Sequence, residues 1–375
     1  MSSDGTLRPK SRPYNANFPK RNRAPTVYNG FRNFLGKILS QDSEHRKALR
    51  GFVIVGIFAL LAKTVGLWKE ISVAERYGTS PDLDAYLFVF NLITLPVSVW
   101  YGCISSAFIP HLVRHGIRCR YKQKAYARPL LSLGLITGII STSIVAAFIY
   151  AYTKNHYIPM PIYTKHVVVQ ILWPLSLIAP ILFITHIGSI FLMARHSHVN
   201  TLLEGLPALS TVLILLAFSH DRIDVLIYGT ISGVIVQMAI TAKLSHMPVW
   251  PSSNIGLLKN LTPIWASALV SLGMNQFLQS SLGAIDQLFA ANLDAGSISY
   301  LNYALRIYGV VLTFFALAIP RVILPIFSGL KMDRDDFRRI VLQWTFAIFV
   351  TGCVISCLIA FFSAPIVSLI FERGK

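Results

Sequence analysis

Ionisable side chains fall inside or at the edge of stretches otherwise apolar enough to cross a bilayer. Lys69, Glu70, Glu75 and Arg76 lie in the first stretch, Asp84 starts the second, and Asp286 and Arg306 lie in the seventh and eighth. Each such charge costs roughly 2.5–3.5 kcal/mol at mid-bilayer on insertion scales, so each needs a reason. Several cations held in a dry bundle suit an anionic ligand, and arginine grips phosphate or pyrophosphate with forked hydrogen bonds. Lys69, Ser72 and Arg76 recur at i, i+3 and i+7, on one helical face. Glu70 and Glu75 lie elsewhere around that helix, placed to neutralise them.

The run "DQLFAANLDAGSISYLNYALR" places Asp286 and Arg306 on the two arms of a hairpin about Gly296. Each is ten residues from that turn, which puts both about 15 Å below it at 1.5 Å rise per residue. An acid and a base at matched depth on adjacent helices are expected to pair or to share a cavity. Two readings stand: a pair that holds a cation ready for an anionic ligand, or a buried ion pair that only sets helix register. Arg321 is a further candidate cation, although Lys63 and Arg321 also sit near helix ends, where long basic side chains snorkel to the interface.

Other chemistries find less support. His111 and His115 form an H-x3-H pair in a basic loop with no carboxylate partner, and no metal site is expected. His196 and His198 read as loop residues, and Glu204 as a helix N-terminal charge. Cys103, Cys353 and Cys357 fall in apolar helices and read as small packing residues, with Cys119 in a loop. The sequence contains no P-loop, GxGxxG, GxSxG or HExxH motif, which argues against ATP-driven pumping, familiar hydrolase chemistry and a bound cofactor.

The elements that must position these residues are membrane helices. Of 375 residues, 54% are apolar and only 13% charged, with mean hydropathy +0.57. A soluble domain carries roughly 25% charged residues. Spans of membrane-crossing length are read at 52–76, 84–109, 129–151, 167–192, 202–218, 224–243, 261–291, 297–327 and 338–362, with a shorter apolar segment at 364–371. The fold class is therefore all-α and polytopic.

The net charge of +18 is a matter of topology rather than of nucleic acid. Twenty-four of the 34 Lys and Arg residues fall in 1–50, 111–128, 243–260, 328–339 and at Arg195, against five on the opposite side. That asymmetry places the N-terminus in the cytoplasm. Residues 1–28 are polar and basic without a signal-peptide core. Phe31, Phe34, Leu35, Ile38 and Leu39 recur at helical spacing, with Arg32 and Lys37 off their face, as an interfacial helix on anionic lipid requires.

Four regions follow: a basic tail over 1–50, a six-helix lobe over 51–245, a Pro-bearing linker over 246–260, and a partial second lobe over 261–375. A faint echo between "AYLFVFNLITLPVSVWYGCISSAFIP" and "SYLNYALRIYGVVLTFFALAIPRVILP" fits a duplicated transporter architecture with its site between the repeats.

Taken together, "VGLWKEISVAERYGTSPDLDAYLFVF" with "SSAFIP", "IDQLFAANLDAGSISYLNYALRI" with "ILPIFS", and the terminal "IFERGK" resemble the MviN/MurJ family over roughly residues 50 to 375. The resemblance implies a two-lobed bacterial inner-membrane flippase. Its expected cargo is lipid II, an undecaprenyl-pyrophosphate-linked peptidoglycan precursor, moved by alternating access around a cationic cavity. Drive by membrane potential or by a proton, sodium or chloride gradient is implied, as is proximity to cell-wall or polysaccharide synthesis enzymes. By the same resemblance Lys69 takes the place of a cavity arginine, Asp84 that of the acid opening helix two, and Arg306 that of the cavity arginine of helix eight. Further helices are implied beyond the last segment, so the chain is expected to be a fragment or a truncated product.

The sequence departs from the family pattern at three places. Glu75 stands where a second arginine is usual, beside Arg76; "LITLPVSVW" lacks the arginine of helix two; and Leu305 replaces an acid. Cargo of another kind, an exopolysaccharide or O-antigen type lipid-linked saccharide, thus stays open. Two further readings are a non-transporting membrane scaffold and a membrane-embedded transferase. The transferase would need paired carboxylates or a His base facing one leaflet, and Asp82 and Asp84 are the only close carboxylate pair outside the segments read as cytoplasmic. The leading expectation is a flippase in which Lys69, Arg76 and Arg306 contact the pyrophosphate, with Glu70, Glu75, Asp84 and Asp286 as charge partners or coupling groups.

Overall fold

The computed structural model describes residues 44–114, 120–155, 160–195, 197, 199–218, 222–248, 262–309, 334–363 and 365. The chain divides into a unit over Met1–Phe52 and a compact unit over Val53–Lys375. Of the first unit, only the residues from Glu44 onward are described, and they are helical. The interfacial helix expected at 31–39, the linker from residue 249 to 261, Arg321, His115, His196, His198 and Cys119 lie outside the described residues.

Every regular element among the described residues is a helix. In chain order they are α1 (Glu44–Tyr77), α2 (Pro81–Arg114), α3 (Arg120–Lys154), α4 (Ile162–Ser176), α5 (Ile178–Ala194), α6 (Val199–Leu203), α7 (Leu206–Ala217), α8 (Ile223–Ser245) and α9 (Thr262–Ala290). A helix over 297–309 follows, α10, and then α11 (Arg334–Phe361). Among the described residues, five helical stretches are long and apolar enough to cross a membrane: Pro81–Ile109, Tyr126–Lys154, Ile162–Ala194, Val199–Ala217 and Ile223–Ser245. The third of these is interrupted at Leu177, which joins α4 to α5 three residues after Pro174, a residue without a backbone donor.

Local chemistry sets the helix ends that matter for the site. Pro81 opens α2 at a position where its missing N–H is harmless, and Ser80 Oγ accepts the Leu83 amide at 3.3 Å. The α9–α10 turn needs a positive φ, and Gly296 supplies it at 96°.

Helix α2 is the axis of the packing. It contacts α4 and α5 on one side and α9 on another, while α7 and α8 pair closely. A Cβ on Gly233 would come within 2.6 Å of the Pro207 Cα, so glycine is what lets α8 lie against α7. Tyr86, Phe88, Phe183, Leu175 and Ile178 form the dry interior, with Tyr86 Oη and Thr230 Oγ1 2.7 Å apart across α2 and α8. Large apolar side chains face outward, as Ile162 and Trp173 do at 87% and 76% exposure. That outward apolar belt, with threonine, asparagine and glutamine inside, suits a hydrocarbon surround.

Candidate functional site

Two cavities adjoin between these helices, and Leu305 and Arg306 of α10 line both. The first, the ionic cavity, has a volume of about 350 Å³. Its α1 wall is a helical stripe of Ala62, Lys63, Gly66, Leu67, Lys69 and Glu70. Tyr86 and Phe90 come from α2, and Pro207, Ala208 and Thr211 from α7. The second, the neutral cavity, has a volume of about 690 Å³ and is lined from α2, α5, α9 and α10.

The charged centre of the ionic cavity is Glu70. Its Oε1 accepts from Lys69 Nζ at 3.1 Å and from Arg306 Nε at 3.0 Å. The glutamate side chain is 5% exposed, that of Lys69 14% and that of Arg306 49%. A carboxylate this deep in the bundle is tenable because two cations compensate it. Arg306 in turn keeps part of its guanidinium open to the cavities. Lys63 and Glu204 also line this wall. With Lys69, Glu70 and Arg306 they make three bases against two acids, a site of small positive charge.

Of the expected pyrophosphate contacts, then, Lys69 and Arg306 come together. Arg76 does not join them. It lies on the same face of α1 as Lys69, but seven residues on, about 10 Å further along the axis. There its Nη1 donates to the Leu215 carbonyl at 2.6 Å. Leu215 is in the last turn of α7, where carbonyls lack helical partners and a cation is favoured.

The expected Asp286–Arg306 pair is not formed. Asp286 is exposed on α9, and Glu70 of α1 takes Arg306. Helical phase keeps the two apart. The cavity face of α9 runs through Gln276, Ser280, Gly283, Ala284 and Gln287, so Asp286 is rotated about 100° away from it. Glu75 is likewise exposed, and Lys69 takes its acid from the adjacent Glu70 instead.

Asp84 sits apart from the ionic centre and caps α10. Its Oδ2 accepts the Gly296 amide at 2.5 Å, while Oδ1 accepts the Ser299 amide at 2.8 Å and the Ser299 hydroxyl at 2.6 Å. Tyr303 Oη donates to the Gly78 carbonyl at 2.7 Å beside it. These bonds tie the α1–α2 turn to the α9–α10 turn. Further along, Asn91 Nδ2 donates to Asn302 Oδ1 at 3.0 Å, and Ser98 and Ser280 hydroxyls meet at 3.2 Å.

Residues that the sequence did not assign to a site also line the cavities. Lys63 and Glu204 face the ionic one, and Gln276, Gln287, His186 and Asn302 the neutral one. The i, i+4, i+7, i+11 recurrence of Gln276, Ser280, Gly283 and Gln287 was the available signal. No group of three or more His, Cys, Asp or Glu side chains suited to a metal ion occurs among the described residues.

The fold and its cavity define a multi-pass helical membrane protein with cations in its interior. The family profile described as lipid II flippase MurJ matches residues 73–375, and the chain belongs to that family. A probable lipid II flippase MurJ of Buchnera aphidicola subsp. Schizaphis graminum is 22% identical over 349 residues, covering 87% of this chain and 66% of the relative. A lipid II flippase MurJ of Burkholderia cenocepacia is 22% identical over the same shares. A Helicobacter pylori relative, also named a probable lipid II flippase MurJ, is 35% identical over a shorter stretch of 113 residues. The chain thus spans about two thirds of the length of the first two relatives. A solved structure titled "Lipid II flippase MurJ, inward closed conformation" shares the fold with a TM-score of 0.64 at 20% identity, over 86% of this chain and 68% of the other.

Proposed function

We propose that this protein is a transporter and not an enzyme: a flippase that carries a polyprenyl-pyrophosphate-linked saccharide, lipid II first among the candidates, across the bacterial inner membrane with its N-terminus in the cytoplasm. The observation that carries the reading is the convergence of Lys69 and Arg306 on one Glu70 oxygen at the wall shared by two cavities. Glu70 holds both cations while the site is empty of ligand, and a diphosphate bearing two or more negative charges displaces it. The polyanion then pairs with both cations, and Glu70, adjacent to Lys69 in the chain, keeps that cation beside it.

Alternating access then consists of rocking residues 51–245 against residues 255–375. The cap of Asp84 on Gly296 and Ser299 and the bond from Tyr303 to Gly78 form one closure that must open in the cycle. Binding a polyanion and moving it with its compensating cations makes the step sensitive to membrane potential or to an accompanying ion. Membrane lipids surround the bundle, and enzymes of cell-wall or polysaccharide synthesis are its natural neighbours.

The test is transport by the reconstituted full chain of a labelled polyprenyl-pyrophosphate saccharide. Lys69→Ala combined with Arg306→Ala is expected to abolish it. Undiminished transport by that folded double variant would remove the site.

A further inference from the structure

Tyr101 of α2 and His186 of α5 stack on the wall of the neutral cavity, with ring centroids 4.1 Å apart and planes 20° apart. Tyr101 is fixed in turn, its hydroxyl donating to Met193 Sδ at 3.6 Å and meeting Asn200. His186 is partly exposed and opens on a cavity of about 690 Å³, and it is the one histidine lining either cavity. Beyond the stack it has no bonded partner among the described residues. Helix α5 packs on α2, α3, α6 and α8 and continues α4. Tyr101 is the titratable group that α2 turns toward His186, and Arg306 of α10 is the charge that shares its cavity. The neighbouring elements bring Tyr126 of α3, Lys243 of α8 and Glu204 beyond α6 toward this end of α5, and none bonds to the imidazole. Tyr163, Lys165 and His166 of α4 are twenty or more residues earlier in the chain.

Three bases and two acids leave the ionic cavity with one net positive charge. A diphosphate diester, the form that links a lipid to a saccharide, carries two negative charges. The loaded site is therefore left one negative charge over, in a bundle where uncompensated charge is costly. A proton restores the balance. Imidazole is the side chain that gains or loses one near neutral pH. Arg306 lines the same cavity as His186, and charges there act on each other with little screening by salt. A protonated ring stacked on Tyr101 also gains cation–π attraction, which strengthens away from water.

We propose that His186 is a proton-binding site tied to the anion site: it takes up a proton from solvent when a diphosphate enters and returns it when the diphosphate leaves. This rests on the anion reading given above. No bond of the ligand changes, and the proton moves only between solvent and an imidazole nitrogen. Anion binding is then pH-dependent and tighter in acid, because protonation of His186 adds a cation to the cavity that Arg306 shares.

The experiment uses the full chain in lipid nanodiscs and farnesyl methyl diphosphate, a diester whose two phosphates stay ionised across the range tested. Calorimetric titration in two buffers of different ionisation enthalpy counts the protons taken up on binding. Wild type is expected to take up about half a proton per ligand at pH 7, and to bind about tenfold more tightly at pH 6 than at pH 8. His186→Phe keeps an aromatic ring on Tyr101 and removes the titrating nitrogens. It is expected to bring the uptake close to zero and the affinity ratio to within about twofold. Wild type that binds the diester without taking up protons overturns the inference and leaves the anion site standing. A folded His186→Phe protein with the wild-type proton count overturns it as well, and moves the proton to Glu70 or Glu204. Wild type that binds no diester at any pH overturns the anion reading and this one with it. Should His186→Phe fail to fold in a thermal melt, His186→Gln is judged by the same two measurements.

Discussion

Arg306 Nε lies 3.0 Å from Glu70 Oε1, so the base of α10 is held by an acid of α1 and not by the acid of its own hairpin. Because Lys69 reaches the same oxygen at 3.1 Å, Glu70 competes directly with any anion for both cations. Glu70→Gln removes the competing charge and keeps the shape. The variant is expected to bind farnesyl diphosphate about tenfold more tightly, about 1.4 kcal/mol, and to turn over more slowly because release now limits the cycle. Calorimetric titration alongside a transport assay checks both. Weaker binding by a folded Glu70→Gln protein would mean that the carboxylate positions the cations and does not compete with the ligand.

Asp84 satisfies two amides and a hydroxyl at the start of α10. Removing the carboxylate leaves buried donors without an acceptor. Asp84→Ala is expected to lower the unfolding free energy by about 2 kcal/mol, with Asp84→Asn costing less because one acceptor oxygen survives. Denaturation in detergent measures it. The same variants loosen the closure between the two turns, so labels placed at the turns should show a larger separated population. An unchanged distance distribution would confine Asp84 to helix capping.

Gly296 offers a test of the turn itself. Its φ of 96° is unfavourable for other residues, and an added Cβ would lie 3.1 Å from the Thr79 carbonyl oxygen. Gly296→Ala is expected to destabilise by about 1–2 kcal/mol. Gly352 is the control. It lies inside α11 with nothing within 4 Å of an added Cβ, and Ala there should be neutral or stabilising by up to about 1 kcal/mol. Equal effects at the two sites would contradict the strain assigned to the turn.

What could be read in advance divides along one line. Helices were legible because apolar runs of membrane-spanning length force the backbone to satisfy itself, and α2, α3, α8 and α9 lie where hydropathy put them. That Lys69 and Arg306 lie near one another was legible as well. Their common acid was not. Asp286 and Gln287 are one residue apart, yet one is exposed and the other lines the neutral cavity. A rotation of 100° decides between them, and that rotation is set by α9 packing on α2, a contact distant in sequence. Glu70 was named as a charge partner, but its bond to Arg306 was hidden for a related reason. Beside Lys69 it looked like a local neutraliser, and only the approach of α10 makes it the partner of Arg306. Lys63 and Glu204 were read as end-of-helix charges because a hydropathy profile sees depth and not the cavity that α1 and α7 enclose.

Arg76 provides the sharpest separation between shared face and shared site. It is one of three basic residues expected to hold the ligand, yet it donates to the Leu215 carbonyl at the end of α7 and lines neither cavity. A charged donor on a carbonyl contributes about 1.5–3 kcal/mol when buried, and less at a partly exposed position such as this. Arg76→Ala is therefore expected to cost about 1 kcal/mol of stability while farnesyl diphosphate affinity stays within about twofold of wild type, whereas Arg306→Ala should weaken that affinity by about tenfold or more. Parallel melts and titrations of the two variants settle the assignment. If Arg76→Ala weakens diphosphate binding as much as Arg306→Ala does, then Arg76 leaves the end of α7 to meet the ligand, and the α7 terminus becomes part of the moving machinery instead of its frame.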